Sequence, residues 1–204
     1  MKISIFLNGE ITDKTIVRKF SENSNVLIAA DGGLNTCIAA NVLPDYLIGD
    51  LDSTDLNSVN HEIKIIRIID QNRSDIQKAL DYALGFDPTE LHFFSIFGNR
   101  LDHHISNLLI MNDVVKSIKI FCYDNKGITC RINNKIIEKK KSVGKTISLF
   151  TFEEIFNLKT IGLKWNINKS RIKPGCFSLS NEIVDYTYSI LFDKGKFFEY
   201  TLFE

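Results

Sequence analysis

Short apolar runs alternate with amphipathic segments through the first half of the chain. The predicted strands are Ile3–Leu7, Val26–Ala30, Tyr46–Ile48, Ile63–Ile69 and Leu91–Ile96. The predicted helices are Asp13–Phe20, Leu34–Ala40, Ser74–Leu84 and His104–Val115. Strands and helices that alternate along a chain predict an α/β domain, in which helices cover the faces of a mainly parallel sheet.

The pattern changes after about residue 118, where short β-rich runs are separated by Gly, Asn and Lys residues. The runs are Ile118–Tyr123, Ile128–Ile132, Lys135–Glu138, Thr146–Thr151, Glu154–Thr160, Phe177–Leu179, Val184–Phe192 and Phe197–Leu202. Such a series predicts an antiparallel all-β sandwich or barrel. We therefore expect an α/β domain at residues 1–117 and an all-β sandwich domain at residues 118–204.

The composition is that of an ordinary globular protein, and it narrows the expected partners. The 204 residues are 44% hydrophobic, and 25 basic residues balance 25 acidic ones. A chain without net charge has no overall field that attracts nucleic acid or an anionic membrane. No apolar run approaches the ~20 residues that span a bilayer. Small molecules are therefore the expected partners, and the cytoplasm is the expected location.

The four cysteines are scattered without the C-x-x-C spacing of zinc sites and redox motifs. We interpret Cys37, Cys122, Cys130 and Cys176 as buried free thiols. The Lys-rich run at residues 138–142 is interpreted as an exposed turn, because no aromatic residues interleave it as they do in many nucleic-acid-binding surfaces.

Acidic clusters follow three of the predicted strands, at Gly49–Ser53, Asp70–Asp75 and Arg100–His103. The carboxyl ends of parallel strands meet at one edge of a sheet, so we expect these carboxylates to gather there. They would repel each other unless a cation lay among them. Carboxylate oxygens, completed by water and substrate phosphates, are the usual ligands of Mg²⁺. The sequence therefore predicts phosphoryl or diphosphoryl transfer.

The spacing of Asp50 and Asp52 suits a shared cation. If the strand that begins at Tyr46 continues that far, the two carboxylates point to the same side. The alternative is a turn, in which Asp and Ser are common. The segment Asp31–Gly33 is predicted as a strand-to-helix turn whose backbone amides can approach a phosphate or nucleotide, although two glycines alone are weak support.

Charged residues in the later clusters offer contacts to phosphate. Asp75 lies at a predicted helix start, where the helix dipole favours a carboxylate even without a metal. Arg73 can pair with phosphate or with a surface carboxylate. Arg100 is the better candidate, because a guanidinium is always charged and binds in a bidentate manner. His103 and His104 are interpreted as structural hydrogen-bonding residues rather than bases.

The chain's only tryptophan, Trp165, lies in a polar segment of the predicted all-β domain. One interpretation is a core residue. The other is an aromatic wall against a flat ring, and composition favours neither.

Six segments, in order, resemble the thiamine pyrophosphokinase family. They are Ala30-Asp31-Gly32-Gly33, Gly49-Asp50-Leu51-Asp52-Ser53, Ser74-Asp75-x-x-Lys78-Ala79-Leu80, Arg100-Leu101-Asp102-His103, Gly162-Leu163-Lys164-Trp165 and Ser180-Asn181-Glu182. The resemblance implies an ATP-binding α/β catalytic domain and a thiamine-binding β-sandwich. It also implies a homodimer whose thiamine sites lie between the N-terminal domain of one subunit and the C-terminal domain of the other. The implied reaction transfers the diphosphate of ATP to the hydroxyl of thiamine and releases AMP.

The resemblance also implies roles for particular residues. The implied Mg²⁺ ligands are Asp50, Asp52 and Asp75, which together with Arg100 and Asp102 form the implied catalytic set. Asp102 is expected to orient the thiamine hydroxyl or to take its proton. ATP is expected at Asp31, Gly32, Gly33, Arg73 and Lys78. Trp165 is expected to stack on thiamine, while Ser180 and Asn181 hydrogen-bond its pyrimidine ring or fix the pocket.

The chain departs from the family pattern at three positions. Asn72 stands where the family often has Asp, Ser74 where it often has Thr, and Asn99 where it often has Gly. Activity is expected to survive, because Asp70 and Asp75 remain. Two alternatives stay open: a Mg²⁺-dependent phosphatase or pyrophosphokinase that acts on another alcohol, and a thiamine or nucleotide sensor without turnover.

Overall fold

The computed structural model describes residues 1–51, 61–114, 117–133, 136–140 and 143–203. The chain forms two compact units, Met1–Asn125 and Lys126–Glu204. Within the described ranges, no helix is both long enough and apolar enough to cross a membrane.

The first unit is an α/β domain. Its strands are β1 (Lys2–Phe6), β2 (Val26–Ala30), β3 (Tyr46–Gly49), β4 (Lys64–Arg67), β5 (Glu90–Phe94) and β6 (Lys119–Tyr123). Its helices are α1 (Lys14–Ser21), α2 (Leu34–Ala40), α3 (Asp75–Leu84) and α4 (Leu101–Asp113), and a 3₁₀ turn at Asp31–Gly33 leads into α2. The strands lie in the order β4-β3-β2-β1-β5-β6, and each neighbouring pair is parallel. The predicted α/β fold with a mainly parallel sheet is confirmed.

Local sequence explains the best-predicted helix of this unit. Ser74 and Gln77 form a capping box at the start of α3, in which the side chains of both residues take part. Ile76, Ala79 and Ala83 recur at helical spacing and are buried. Because β1 and β5 are buried on both faces, their sequences are nearly continuous apolar runs, as is usual for the inner strands of a parallel sheet.

The second unit is a β-sandwich. Its strands are β7 (Gly127–Ile132), β8 (Ile136–Lys140), β9 (Thr146–Thr151), β10 (Ile155–Ile161), β11 (Asn168–Ile172), β12 (Gly175–Glu182), β13 (Thr187–Leu191) and β14 (Phe197–Leu202). They pair antiparallel in two groups, β12-β9-β14-β7 and β11-β10-β13-β8. Residues of both groups share one core, including Ile147, Leu149 and Phe197 from the first and Leu158, Tyr188 and Ile190 from the second. The predicted all-β sandwich is confirmed.

Three of the differences from the sequence-based expectation have a clear physical cause. β6 pairs in parallel with β5, so the compact units divide after Asn125 and not before residue 118. Helix α4 begins at Leu101 and not at His104, which places the fourth motif in its first turn. Strand β11 was not predicted, because four of its five residues are exposed and its sequence lacks an apolar alternation.

Candidate active site

Side chains from three different elements meet at the carboxyl edge of the parallel sheet. Asp31 follows β2, Asp50 follows β3, and Asp75 opens α3. Lys78 of α3 is only 2% exposed, and its Nζ lies 3.3 Å from Asp75 Oδ1 and 3.6 Å from Asp50 Oδ2. One buried ammonium group therefore lies between two of the carboxylates that the sequence singled out.

The pKa of Asp75 reports the electrostatics of this cluster. Burial raises the pKa of its carboxyl above the ordinary value, and Lys78 offsets part of that rise. The negative charges of Asp31 and Asp50 raise the pKa of Asp75 further. The three carboxylates are thus close enough to repel each other, and a further cation would relieve that repulsion.

The backbone between Asp50 and the next residues is not extended. Strand β3 ends at Gly49, and Leu51 is buried with a left-handed backbone, at a φ of 63°. The expectation that the strand continues through the Asp-x-Asp motif is therefore wrong. Gln71 Nε2 donates to Asp50 Oδ2 at 3.2 Å. Asp52 lies outside the described residues, and within them no three metal-binding side chains converge.

The glycines after β2 have a packing role. A Cβ on Gly33 would overlap the backbone carbonyl of Phe6 in β1, and a Cβ on Gly32 would overlap the side chain of Asn8. Only glycine at position 33 lets the Asp31–Gly33 turn approach β1 this closely. Contact of Asp31, Gly32 and Gly33 with ATP stays a prediction.

Arg73 and Asp70 are engaged within the loop and helix around them. Arg73 forms an ion pair with Asp81 and donates to the carbonyl of Gln77 at 3.3 Å, so its alternative role as the partner of a surface carboxylate is realised. Asp70 Oδ1 accepts from the backbone N–H of Asn72 at 2.9 Å. Contact of Arg73 with ATP stays a prediction, and it would require the guanidinium to leave Asp81.

Arg100 and Asp102 form a bidentate pair at the start of α4. Arg100 Nε and Nη2 donate to the two carboxylate oxygens of Asp102 at 3.2 and 2.6 Å. The pair is exposed, at 70% for Arg100 and 64% for Asp102. The hydrogen bonds from Arg100 lower the pKa of Asp102 to about 2, and the same contacts raise the pKa of Arg100. A carboxyl with so low a pKa is a weak base at neutral pH.

The loop that precedes this pair is held by α4 itself. His104 Nε2 lies 2.8 Å from the backbone nitrogen and 2.6 Å from the carbonyl oxygen of Gly98. Asn107 Nδ2 donates to the carbonyl of Ile96 at 2.7 Å. These contacts explain why α4 starts early, and they give His104 the structural role that the sequence favoured. His103 is exposed.

A buried cluster of hydroxyls joins the loops after β1 and β5. Thr36 Oγ1 donates to Ser95 Oγ at 2.8 Å, Thr12 N donates to Ser95 Oγ at 3.0 Å, and Ser95 N donates to Thr12 Oγ1 at 2.8 Å. Ser95 has a left-handed backbone with a φ of 51°. These residues could not be predicted from the sequence, because isolated Ser and Thr residues carry no pattern that distinguishes them.

Trp165 in the second unit is not a core residue. It is 58% exposed, which excludes that interpretation, and Lys164 Nζ lies 5.1 Å from the centroid of its ring. Lys164 also pairs with Glu182 at 2.8 Å. Gly162, earlier in the same segment, has a φ of +87° and packs against the carbonyl of Thr187, so only glycine suits this turn.

Ser180 and Asn181 have opposite environments on β12. Ser180 is exposed, has a φ of 51°, and donates its backbone N–H to Ser148 Oγ at 3.0 Å. Asn181 is 2% exposed, and its side chain hydrogen-bonds both the N–H and the carbonyl of Trp165. Asn181 is thus joined directly to the tryptophan, and a contact of either residue with thiamine stays a prediction.

Comparison with known proteins identifies two matching segments. Residues 17–122 match the family described as "Thiamin pyrophosphokinase, catalytic domain", and residues 133–197 match "Thiamin pyrophosphokinase, vitamin B1 binding domain". Thiamine pyrophosphokinase from Bacillus subtilis (strain 168) is 26% identical over 185 residues, which cover 86% of each chain.

Solved structures share the fold. The crystal structure of thiamine pyrophosphokinase from Bacillus subtilis is similar with a TM-score of 0.86, at 24% identity over 100% of both chains. Thiamin pyrophosphokinase from Candida albicans is similar with a TM-score of 0.81, at 17% identity over 100% of this chain and 89% of the other. The match to the catalytic domain alone spans more than half of the sequence. The chain belongs to the thiamin pyrophosphokinase family.

Proposed function

We propose that the chain transfers the diphosphate group of ATP to the hydroxyl of thiamine, giving thiamine diphosphate and AMP. Family membership over both segments supports this reaction and makes the chain an enzyme of the diphosphotransferase class. The observation that carries the proposal is the cluster of Asp50, Asp75 and Lys78, in which carboxylates from a strand end and a helix start share a buried cation. A sensor that binds thiamine alone would have no use for such a charged cluster, and turnover to AMP separates the proposal from a nucleotide sensor.

The first unit is proposed to bind ATP with Mg²⁺. The donor set fits that ion, because carboxylate oxygens are hard ligands. The pKa of Asp75 is raised by burial and, beyond that, by the negative charges of Asp31 and Asp50, which a cation would offset. Asp50 and Asp75 would hold the ion together with Asp52. When bound, Mg²⁺ would neutralise part of the negative charge of the triphosphate. Lys78 contributes a further fixed positive charge beside the phosphates, near the turn that carries Asp31.

Arg100 and Asp102 are proposed to act on the transferring group and on the acceptor. Arg100 would exchange one or both of its hydrogen bonds with Asp102 for phosphate oxygens, where a guanidinium stabilises developing charge. The hydrogen bonds from Arg100 lower the pKa of Asp102 to about 2, so Asp102 is ionised in this pair. Once Arg100 turns to phosphate, the carboxylate oxygens that it leaves can accept from the thiamine hydroxyl, and Asp102 then orients that hydroxyl or takes its proton. Positioning of this kind accounts for most of the catalysis in phosphoryl transfer.

The second unit is proposed to bind the thiamine rings through Trp165. The exposed indole has Lys164 over one face, with the positive charge of Lys164 balanced by Glu182. A flat aromatic ligand would stack on the other face. Ser180 is exposed on β12 and is proposed to contact the pyrimidine edge.

A homodimer is proposed as the active form, with thiamine sites built from two subunits. Leu101, Ile105 and Leu109 recur every four residues along α4 and therefore lie on one face of the helix. They are 72%, 46% and 41% exposed. An exposed apolar stripe beside Arg100 supports burial of this helix by a second copy of the chain.

No disulfide joins the four cysteines, all of which the structure describes, and this supports the proposed cytoplasmic location. Cys37 and Cys122 are buried as expected, whereas Cys176 is exposed, so the expectation of burial is wrong for Cys176.

The test is an assay of purified protein with ATP, Mg²⁺ and thiamine, which follows AMP and thiamine diphosphate and includes a control without metal. Equal amounts of both products, formed only with metal, are the expected result. If thiamine bound tightly but no AMP formed, the protein would be a sensor and the proposed reaction would be wrong. If the protein consumed ATP with a different alcohol and not with thiamine, thiamine would be the wrong acceptor substrate.

A further inference from the structure

The side chain of Asn181 is buried, although it belongs to a strand whose neighbouring residues are exposed. Asn181 is 2% exposed, whereas Leu179 is 75% exposed and Trp165 is 58% exposed. A buried amide needs hydrogen-bond partners for both its oxygen and its nitrogen, because each unsatisfied group costs about 1–3 kcal/mol. The identity of those partners therefore shows what the residue does.

All four hydrogen-bonding positions of the amide are occupied inside the protein. Nδ2 donates to the carbonyl of Trp165 at 2.8 Å and to Ser178 Oγ at 2.9 Å. Oδ1 accepts from the N–H of Trp165 at 3.2 Å and from the N–H of Glu182 at 2.9 Å. An asparagine amide has two donor hydrogens and two acceptor lone pairs. A ligand could bind this amide only by breaking one of these bonds.

The amide extends a backbone pairing that otherwise stops before Trp165. Leu163 bridges Ile183 in antiparallel fashion, and Lys164 N donates to the carbonyl of Glu182 at 2.8 Å. Hydrogen-bonded and non-hydrogen-bonded pairs alternate along an antiparallel ladder, so a continuation to residues 165 and 181 would join no backbone groups. The backbone of Asn181 is paired with Ile147 of β9. Its side-chain amide therefore supplies the hydrogen bonds at this point, because it binds both the N–H and the carbonyl of Trp165.

We propose that Asn181 is a positioning residue, which fixes the backbone of Trp165 so that the exposed indole stands as a rigid wall, and that it does not itself bind the ligand. The proposal rests on the proposed function only for the identity of the ligand, thiamine. Lys164 supports the same wall from the side chain, because its ammonium lies over one face of the indole and is held by Glu182. Only the opposite face of the Trp165 ring is therefore open for a ligand to stack on.

The test uses the fact that Trp165 is the only tryptophan of the chain, so its fluorescence reports this site alone. Full-length Asn181→Ala is compared with the wild type for acrylamide quenching, fluorescence anisotropy and steady-state kinetics. We expect stronger quenching, lower anisotropy and a KM for thiamine raised at least ~5-fold, with kcat and the KM for ATP changed less than ~2-fold. Asn181→Ser keeps a small uncharged polar group at this buried position, so it should give intermediate values.

Thr151→Val is the matched control. Thr151 is 2% exposed in the same unit, and its hydroxyl binds the backbone of Glu153 and Lys196 instead of the Trp165 segment. It should lower stability without altering the quenching of Trp165 or the KM for thiamine.

Two results would overturn the proposal. If Asn181→Ala raised the KM for thiamine while the quenching and anisotropy of Trp165 stayed at wild-type values, Asn181 would be a direct ligand. If none of these quantities changed, Asn181 would have no role in the site. If wild-type protein turned over no thiamine, the proposed function would fail, and the quenching comparison would still decide whether Asn181 fixes Trp165. Should Asn181→Ala not fold, Asn181→Ser decides on the same criteria.

Discussion

Lys78 Nζ lies 3.6 Å from Asp50 Oδ2, although Lys78 belongs to helix α3 and Asp50 follows strand β3. The contact ties the start of α3 to the end of the strand across the carboxyl edge of the sheet. Because the same ammonium lies 3.3 Å from Asp75, one buried charge holds both carboxylates in place before any ligand arrives. Binding of ATP then requires less rearrangement of the site.

Replacing Lys78 by methionine should weaken both the fold and the activity. Asp50 and Asp75 would lose their shared cation, so we expect Lys78→Met to lower the free energy of unfolding by about 1–3 kcal/mol at pH 7. We also expect kcat/KM for ATP to fall at least ~10-fold. Urea denaturation and initial-rate kinetics measure the two effects. Lys14→Met, at an exposed lysine of α1, should change neither quantity. Wild-type values for Lys78→Met would remove Lys78 from the site.

Arg100→Gln should separate activity from stability. Arg100 is 70% exposed, and ion pairs at the surface add little to stability, so the melting temperature should remain that of the wild type. In contrast, kcat should fall at least ~10-fold, because a fixed positive charge is lost from the transferring phosphates. Arg171→Gln breaks a comparable pair with Glu154 in the second unit and should leave kcat unchanged. A normal kcat for Arg100→Gln would contradict the proposed role.

Removal of the metal should stop turnover and leave the protein folded. Lys78 already offsets part of the negative charge of the cluster, so EDTA should abolish product formation without shifting the melting temperature. Asp75→Asn should raise the Mg²⁺ concentration that gives half-maximal activity at least ~10-fold, as loss of a carboxylate ligand predicts. Asp13→Asn provides the control, because Asp13 caps the start of α1 and is not part of the cluster. An unchanged Mg²⁺ requirement in Asp75→Asn would exclude Asp75 as a ligand.

His92 should make the stability of the protein depend on pH. It is 5% exposed, its Nδ1 lies 2.7 Å from the hydroxyl of Tyr123, and its Nε2 lies 3.6 Å from Glu90. Burial, followed by the positive charge of Lys2, lowers its pKa from 6.5 to about 4, and Glu90 opposes this shift. Between these pH values the unfolded chain binds a proton that the folded protein does not. The free energy of unfolding should therefore fall as the pH drops from 6.5 to about 4.

The measurement is urea denaturation at a series of pH values through this interval. The contribution of His92 should be on the order of 1–3 kcal/mol. His92→Phe, which can stack on Phe121 as the imidazole does, should have a flatter pH profile than the wild type. His61→Gln, at an exposed histidine, should keep the wild-type profile. A wild-type slope in His92→Phe would assign the pH dependence to other groups.

The sequence predicted best the elements whose pattern is set by their own residues. The bounds of β2, α2, β9 and β14 agree with the prediction to the residue, because apolar periodicity and local turn signals mark both ends. The start of α4 differs from the prediction. Its N-cap residue is Arg100, whose side chain forms no capping hydrogen bond, and the helix start is held instead by the contacts of His104 with Gly98. Tertiary contacts of that kind leave no mark in a local pattern.

The residues of the candidate site could be predicted from the sequence, but their backbone conformation and hydrogen bonds could not. Alternation of strands and helices placed Asp31, Asp50 and Asp75 at one sheet edge, but it could not show that Leu51 has a left-handed backbone, since bulky residues rarely adopt it. The sequence also could not show that the amide of Asn181 is fully used within the protein. Saturation of a hydrogen-bonding group depends on which segments lie side by side after folding.

The hydroxyl cluster of Thr12, Thr36 and Ser95 joins loops that follow β1 and β5 to the helix after β2. Since each hydroxyl serves more than one partner, the loops cannot separate one at a time. The amide protons of Thr12 and Ser95 should therefore exchange with solvent together, at a single shared rate. In a hydrogen-exchange experiment these two loops would then open as one cooperative unit.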